Sequence, residues 1–162
     1  MNDLLIASPL QPPFSSRVAT EADRALVVTL LHELFEEIAP GAVGDESKRL
    51  IDGDTKAALA SADVRIFLLE MDGQAAGLAR ADFSSAFTVF RLREDKRGGY
   101  VDQMFVRRAH RKQKLGKALL LLCENWLRER GATHCLLHAA PNAQGFYAQR
   151  GYQSTRELFK KL

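Results

Sequence analysis

The chain predicts an α/β (α+β) fold, a central mixed and mostly antiparallel β-sheet flanked by helices. Three stretches carry that expectation. Val64 to Met71 is β-rich and runs into Asp72-Gly73, a strong hairpin signal, ahead of the small-residue strand Gln74 to Phe83. Ala22 to Ile38 places Leu26, Leu30, Leu34 and Ile38 at helical spacing. Tyr100 to Ala139 runs strand, basic turn, long helix, strand, a crossover that makes its two strands parallel neighbours in a mixed sheet.

In chain order, Met1 to Pro13 carries three prolines and no sustained period, so a flexible arm is expected in front of one domain, residues 14–162. Arg17 to Ala19 is a short first strand. Thr20 is placed as an N-cap with acidic Glu21 and Asp23 in the first helical turn, and Pro40-Gly41 ends that helix. A second helix, Glu46 to Ala60, is amphipathic through Leu50, Ile51, Ala58 and Leu59. In the return strand of the hairpin, Gly77 marks a bulge or a close backbone approach. Ser84 to Leu92 either continues that strand or crosses the active face as a loop, and Arg93 to Gly99 is a charged turn. The long helix, from about Lys114 to Arg130, presents Leu115, Leu119, Leu122 and Trp126 on one face and stops at Gly131. His134 to Ala139 is a strand, Asn142 to Arg150 a short helix closed by Gly151, and Thr155 to Lys161 a last strand.

Composition narrows the class. With 46% hydrophobic and 27% charged residues over 162 positions, the chain suits one folded core rather than disorder. No apolar run approaches the roughly 20 residues of a membrane span, and Met1 to Phe14 lacks the basic and apolar regions of a secretory signal. Cys123 and Cys135 are the only cysteines, so a disulfide framework is excluded and a cytoplasmic location is expected. No His, Cys or carboxylate cluster has metal-ligand spacing.

The net charge of +3 hides a segregation. Acids dominate from Glu21 to Asp54 and bases from Lys96 to Lys117. The basic segment joins the strand Tyr100 to Val106 to the start of the long helix. Unpaired amides and the dipole at a helix start favour an anion, so this bend is expected to seat a diphosphate.

The run Arg111-Lys-Gln-Lys-Leu-Gly116 after that strand resembles motif A, Q/R-x-x-G-x-G/A, of the GCN5-related N-acetyltransferase (GNAT) superfamily. Asn142 to Tyr152, NAQGFYAQRGY, is similar to the later motif of the same family, and RVATEAD before an amphipathic helix resembles its usual start. The resemblance covers about Arg17 to Leu162. It implies the GNAT fold, with a parallel strand pair that splays apart, and acetyl-CoA as cofactor. The amides of Lys112, Gln113, Lys114, Leu115, Gly116 and Lys117 would hold the diphosphate while Arg111 fixes the turn. The strand backbone at Met104, Phe105 and Val106 would pair with the pantetheine arm. Asn142 would reach that arm or serve as an ordinary N-cap. Lys114 stands where the family has its first glycine. A helix start does not itself demand positive φ, so lysine is expected to be tolerated there, pointing to solvent or to a phosphate.

The resemblance also implies chemistry: acetyl transfer to a primary amine by direct attack in a ternary complex. Tyr147 matches the family's acid, with core packing beside Phe146 as its alternative. Asp102 is the acid of the central strand, and by simple alternation it shares a face with Tyr100 and Met104. Its roles are general base or pairing with a neighbouring arginine, with His138 the competing base. The family lines its acceptor site with the first two helices, so Glu33, Glu36 and Glu37 are placed to draw a cationic small-molecule amine. Other readings are a non-catalytic acyl-CoA-binding or sensing module, or a protein or peptide N-acetyltransferase. Nucleic-acid binding through the basic turn is disfavoured by the acidic first half and the lack of interleaved aromatics. No membrane partner is expected, and a homodimer is compatible with the resemblance.

Overall fold

The computed structural model describes residues 14–84 and 98–154. The expected arm at 1–13, the ambiguous stretch after residue 84, most of the charged turn and the last strand at 155–161 lie outside those residues.

The described strands form one sheet in the order β1 (Phe14–Val18), β2 (Val64–Met71), β3 (Gln74–Ser84), β4 (Gly98–Val106) and β5 (His134–Leu136). The first three pairings are antiparallel and the β4–β5 pairing is parallel. The hairpin between β2 and β3 turns through Asp72 and Gly73, both at positive φ, the geometry that a two-residue turn needs to match strand twist. Helices α1 (Arg24–Ile38) and α2 (Asp45–Ala60) cover one face. Helix α3 (Leu115–Glu129) and the short α4 (Gln144–Ala148) cover the other.

Both faces of the sheet are therefore apolar. β2 sends Phe67, Leu69 and Met71 to the α3 side and Ile66 and Leu68 to the α1–α2 side. On α3 the stripe Leu115, Leu119, Trp126 and Leu127 is buried, whereas Leu122 is only partly so. The α1 entry differs from expectation: Thr20 is the N-cap of a 3-10 turn, Glu21–Asp23, and α1 itself begins at Arg24 with Asp23 as its N-cap. Thr20 N–H donates to Asp23 Oδ2 at 2.8 Å, and Arg17 holds the same carboxylate at 2.8 Å.

Gly77 is a close-approach glycine: a Cβ there would lie 2.4 Å from the Phe105 carbonyl oxygen across the β3–β4 pairing. Two elements are shorter than expected. β5 stops at Leu136 instead of Ala139, because its pairing with β4 ends there. The short helix starts at Gln144, since Pro141–Ala143 winds as a 3-10 turn first.

Candidate active site

Parallel pairing between β4 and β5 covers only Gly98 to Tyr100 against His134 to Leu136. β4 continues to Val106. Beyond Tyr100 no further pairing of β4 with β5 is formed among the described residues, so the two strands diverge and a cleft opens between them. On the opposite edge, Ala79 pairs with Met104 and Ala81 with Val101, so Asp102 and Gln103 together face Arg80. The extra residue is a bulge, which bends a strand and shifts its alternation. The shift corrects the simple period-two placement of Asp102. Val101 and Met104 both pack under α3, and Phe105 turns to the α1–α2 side. Asp102 stays with Tyr100 on the face of Arg80 and Asp82, and Met104 does not share it.

The cleft ends at the basic turn. Arg111 Nε donates to the Val106 carbonyl at 2.8 Å, which ties the turn to the strand end. The first bond inside α3 runs from Ala118 N–H to Lys114 C=O at 3.1 Å, so the amides of Leu115, Gly116 and Lys117 precede the intrahelical ladder. Lys112 and Lys114 sit at φ 63° and 64°, and Lys114 is the N-cap with ψ 9°. This corrects the expectation that the helix start makes no demand on φ. The turn is left-handed at the motif's glycine position, and lysine occupies it against the steric preference of any residue with a Cβ. Open amides, exposed lysines and a helix start next to a strand cleft suit a diphosphate with an extended, amide-bearing arm.

The acidic half of α1 is engaged with this turn. Glu33 accepts two hydrogen bonds from Arg107, at 2.7 and 2.8 Å. Glu37 accepts from Arg111 at 2.8 Å and Arg108 at 3.2 Å, and chiefly the Arg111 bond holds its carboxyl below the usual range. Glu36 accepts the Gly41 N–H at 2.8 Å. Glu33 and Glu37 thus clamp α1 to the turn, and Glu36 closes its C-terminal end.

A second acidic group lies over the middle of the sheet. Arg80 donates to Asp82 at 2.8 and 2.9 Å and to Asp54 of α2 at 2.6 Å. Asp102 stands in the field of all three. Desolvation raises its pKa, the Arg80 charge opposes that, and Asp82 and Asp54 raise it further. Sequence reasoning missed Arg80, Asp82 and Asp54. The available signal was the sequence Arg80-Ala-Asp82, charged residues inside an otherwise apolar central strand.

Tyr147 is buried, in edge-to-face contact with Phe146 at 5.0 Å and Tyr152 at 5.7 Å. Burial raises its pKa, so the phenol stays protonated at neutral pH. It lines an open groove of about 460 Å³ with Tyr100, Cys135, His138 and Gln144, and Tyr100 O–H is hydrogen-bonded to His138 Nδ1. Phe146 packs against the core and lies near the start of α3 at Gly116. Asn142 is exposed inside the 3-10 turn. The N-cap positions belong to Ala140 and Ala143, so it caps neither element. Burial raises the pKa of both cysteine thiols, the opposite of an activated nucleophile. Among the described residues no group of three or more His, Cys, Asp or Glu could hold a metal ion, and no helix is long and apolar enough to cross a membrane.

Comparison with known proteins gives the geometry a context. A predicted acetyltransferase from Clostridium acetobutylicum, solved with acetyl-CoA, superposes with a TM-score of 0.80 at 19% identity, over 92% of this chain and 96% of that one. A GCN5-related N-acetyltransferase from Ralstonia eutropha JMP134 gives 0.76 at 22% identity, over 92% and 98%. The aminoglycoside N-acetyltransferase AAC(6')-Iy, in complex with CoA, gives 0.71 at 17% identity, over 94% and 98%. No curated protein matches the chain significantly by sequence. At these identities the superpositions speak for the fold. The sequence profile described as "Acetyltransferase (GNAT) family" matches residues 28–152, which run from within α1 through the cleft and the left-handed turn to just past the tyrosine helix. The chain belongs to the acetyltransferase (GNAT) family.

Proposed function

We propose that this protein transfers the acetyl group of acetyl-CoA to a primary amine on a cationic small molecule, by direct attack in a ternary complex. The observation that carries the reading is the β4–β5 divergence after Tyr100 and Leu136, followed along the chain by the amides at the start of α3 that precede its intrahelical ladder. Acetyl-CoA, when bound, supplies an acetyl thioester. In this reading the Met104–Val106 backbone aligns its amide-bearing arm, and the amides of residues 112–117 hold its diphosphate, with Arg111 bracing the turn. Asn142, exposed beside the tyrosine helix, is the side chain assigned to the same arm. Solved structures of similar fold include aminoglycoside N-acetyltransferases and a glucosamine-6-phosphate N-acetyltransferase from Arabidopsis thaliana, all acting on amino groups of small molecules by their names.

Transfer forms a C–N bond and breaks a C–S bond. The attacking amine must lose a proton and the departing sulfur must gain one. Asp102 is assigned as base, directly or through water, because its carboxylate stands in the sheet centre with a raised proton affinity. Tyr147 is assigned as acid: burial keeps its O–H protonated, and it lines the groove next to the cleft. The carboxylates of Asp54, Asp82 and Asp102 outnumber the single Arg80 guanidinium, which favours a cationic acceptor over an acidic one.

The test is release of free thiol from acetyl-CoA across a panel of polyamines, aminoglycosides, amino sugars and lysine peptides. A cationic small molecule is expected to give the fastest release. Tyr147→Phe is expected to lower turnover by about 10²–10⁴-fold, the usual contribution of general acid catalysis, with CoA affinity unchanged. A second reading, a non-catalytic acyl-CoA-binding module, draws on the strained Lys114 in the phosphate turn. It requires CoA binding with no thiol release for any amine, and Tyr147→Phe would then change nothing.

A further inference from the structure

We propose that Arg80 is a positioning residue for the transfer: pinned by Asp82 and Asp54 opposite the β4 bulge, it presents its positive charge to the Asp102 carboxylate that accepts the amine's proton. The inference rests on the assignment of Asp102 as base. Arg80 comes from the centre of β3, and its side chain is only 13% exposed. An enclosed guanidinium needs counter-charge, and one carboxylate would suffice. This one stands among three. Its hydrogen bonds go to Asp82 and Asp54, and among the described residues none is directed to the Asp102 carboxylate. Asp102 therefore feels the positive charge without surrendering an oxygen to it, and those oxygens stay open for a proton.

The groups that face Asp102 come from every element around it: Arg80 and Asp82 on β3, Asp54 on α2, and His138 just beyond β5. Desolvation favours the neutral acid, and so do Asp82 and Asp54. Arg80 opposes them most strongly, with His138 a smaller ally. A neutral carboxylic acid cannot take the amine's proton. Without Arg80 the base would exist only at higher pH. Asp54 reaches in from α2, so the helix that covers this face also fixes the guanidinium in place.

The experiment combines two measurements on the full-length chain. One is ¹³C NMR titration of labelled aspartate carboxyls, with Asp102→Asn identifying the resonance. The other is kcat/KM against pH, using the amine that releases thiol fastest in the panel. Arg80→Gln is expected to move the acid limb and the Asp102 titration upward. At the acid end kcat/KM should fall roughly tenfold or more, the effect of losing one adjacent opposite charge, with recovery at high pH. Asp54→Asn should move both downward, and Arg80→Lys, which keeps the charge, should stay near the parent. Thermal melts check that each variant folds. A merely structural Arg80 would lower activity in Arg80→Gln and Asp54→Asn alike without opposite shifts, and that result overturns the proposal. If Asp102→Asn leaves the acid limb in place, the base assignment itself fails and takes this inference with it. If the limb disappears in Asp102→Asn but is unmoved in Arg80→Gln, only the role of Arg80 fails.

Discussion

Lys114 is the residue whose backbone and chemistry disagree, and the disagreement can be measured. Its φ of 64° and ψ of 9° lie in the left-handed region at the N-cap of α3. A residue with a Cβ bears about 1–2 kcal/mol there, and glycine does not. Glycine has its own cost, about 0.4–1 kcal/mol, because its unfolded chain is freer. The cleanest comparison is Lys114→Gly against Lys114→Ala. Both remove the ammonium, so electrostatic changes cancel and the backbone term remains. At an ordinary helical site glycine is about 0.5–1 kcal/mol worse than alanine. At Lys114 the order should invert, with glycine better by about 1 kcal/mol. For a domain of this size that difference moves the melting temperature by about 2–4 °C. Urea denaturation at matched m-values, with a thermal melt alongside, gives the answer. An alanine variant as stable as the glycine variant would refute the left-handed assignment, and with it the physical account of the turn.

Two further perturbations test the frame around the cleft. Gly77→Ala forces a Cβ to within 2.4 Å of the Phe105 carbonyl, a backbone atom that cannot step aside alone, so a loss of about 1–3 kcal/mol is expected in urea unfolding. A loss below about 0.5 kcal/mol would mean that β3 and β4 are farther apart there. Glu37→Gln tests the clamp between α1 and the basic turn. The depressed folded-state pKa of Glu37 gives stability that is present above the unfolded carboxyl value of about 4.3 and is lost as pH falls through the folded value. The variant should therefore be less stable than the parent at pH 7, by about 1 kcal/mol or less, and the gap should close on acidification. A gap that does not change with pH argues against the salt bridges to Arg111 and Arg108.

Most of the architecture was legible because its signals are local. Helical spacing in α1, the Asp72-Gly73 turn between β2 and β3, and the strand–turn–helix–strand order around α3 each depend on residues close in sequence. The early end of β5 was not legible. Cys135 to Ala139 is as strand-like after Leu136 as before it, and only the divergence from β4 decides where pairing stops. The bulge was hidden for the same reason. A period-two reading of β4 is sound up to Val101, and the slip at Asp102 and Gln103 becomes visible only against the register of β3. The left-handed turn is an intermediate case. A glycine at position 114 would have announced it, and lysine concealed it.

Charge shows most clearly how tertiary pairing changes the meaning of a sequence pattern. An acidic first half and a basic turn suggest two opposed fields, one for each substrate. In the folded chain much of each field is spent on the other, since Glu33 and Glu37 take Arg107, Arg108 and Arg111. What remains near the turn is Lys112, Lys114 and Lys117, all exposed and, among the described residues, outside any ion pair. These sit at the start of α3, where their charge adds to that of the open amides. On α1 only Glu36, which accepts the Gly41 N–H, stays outside these ion pairs. On the other side of the cleft a denser negative group lies with Asp54, Asp82 and Asp102 around one arginine. The salt bridges of α1 therefore concentrate the two fields at the opposite flanks of β4, positive where a diphosphate would rest and negative where a protonated amine would give up its proton.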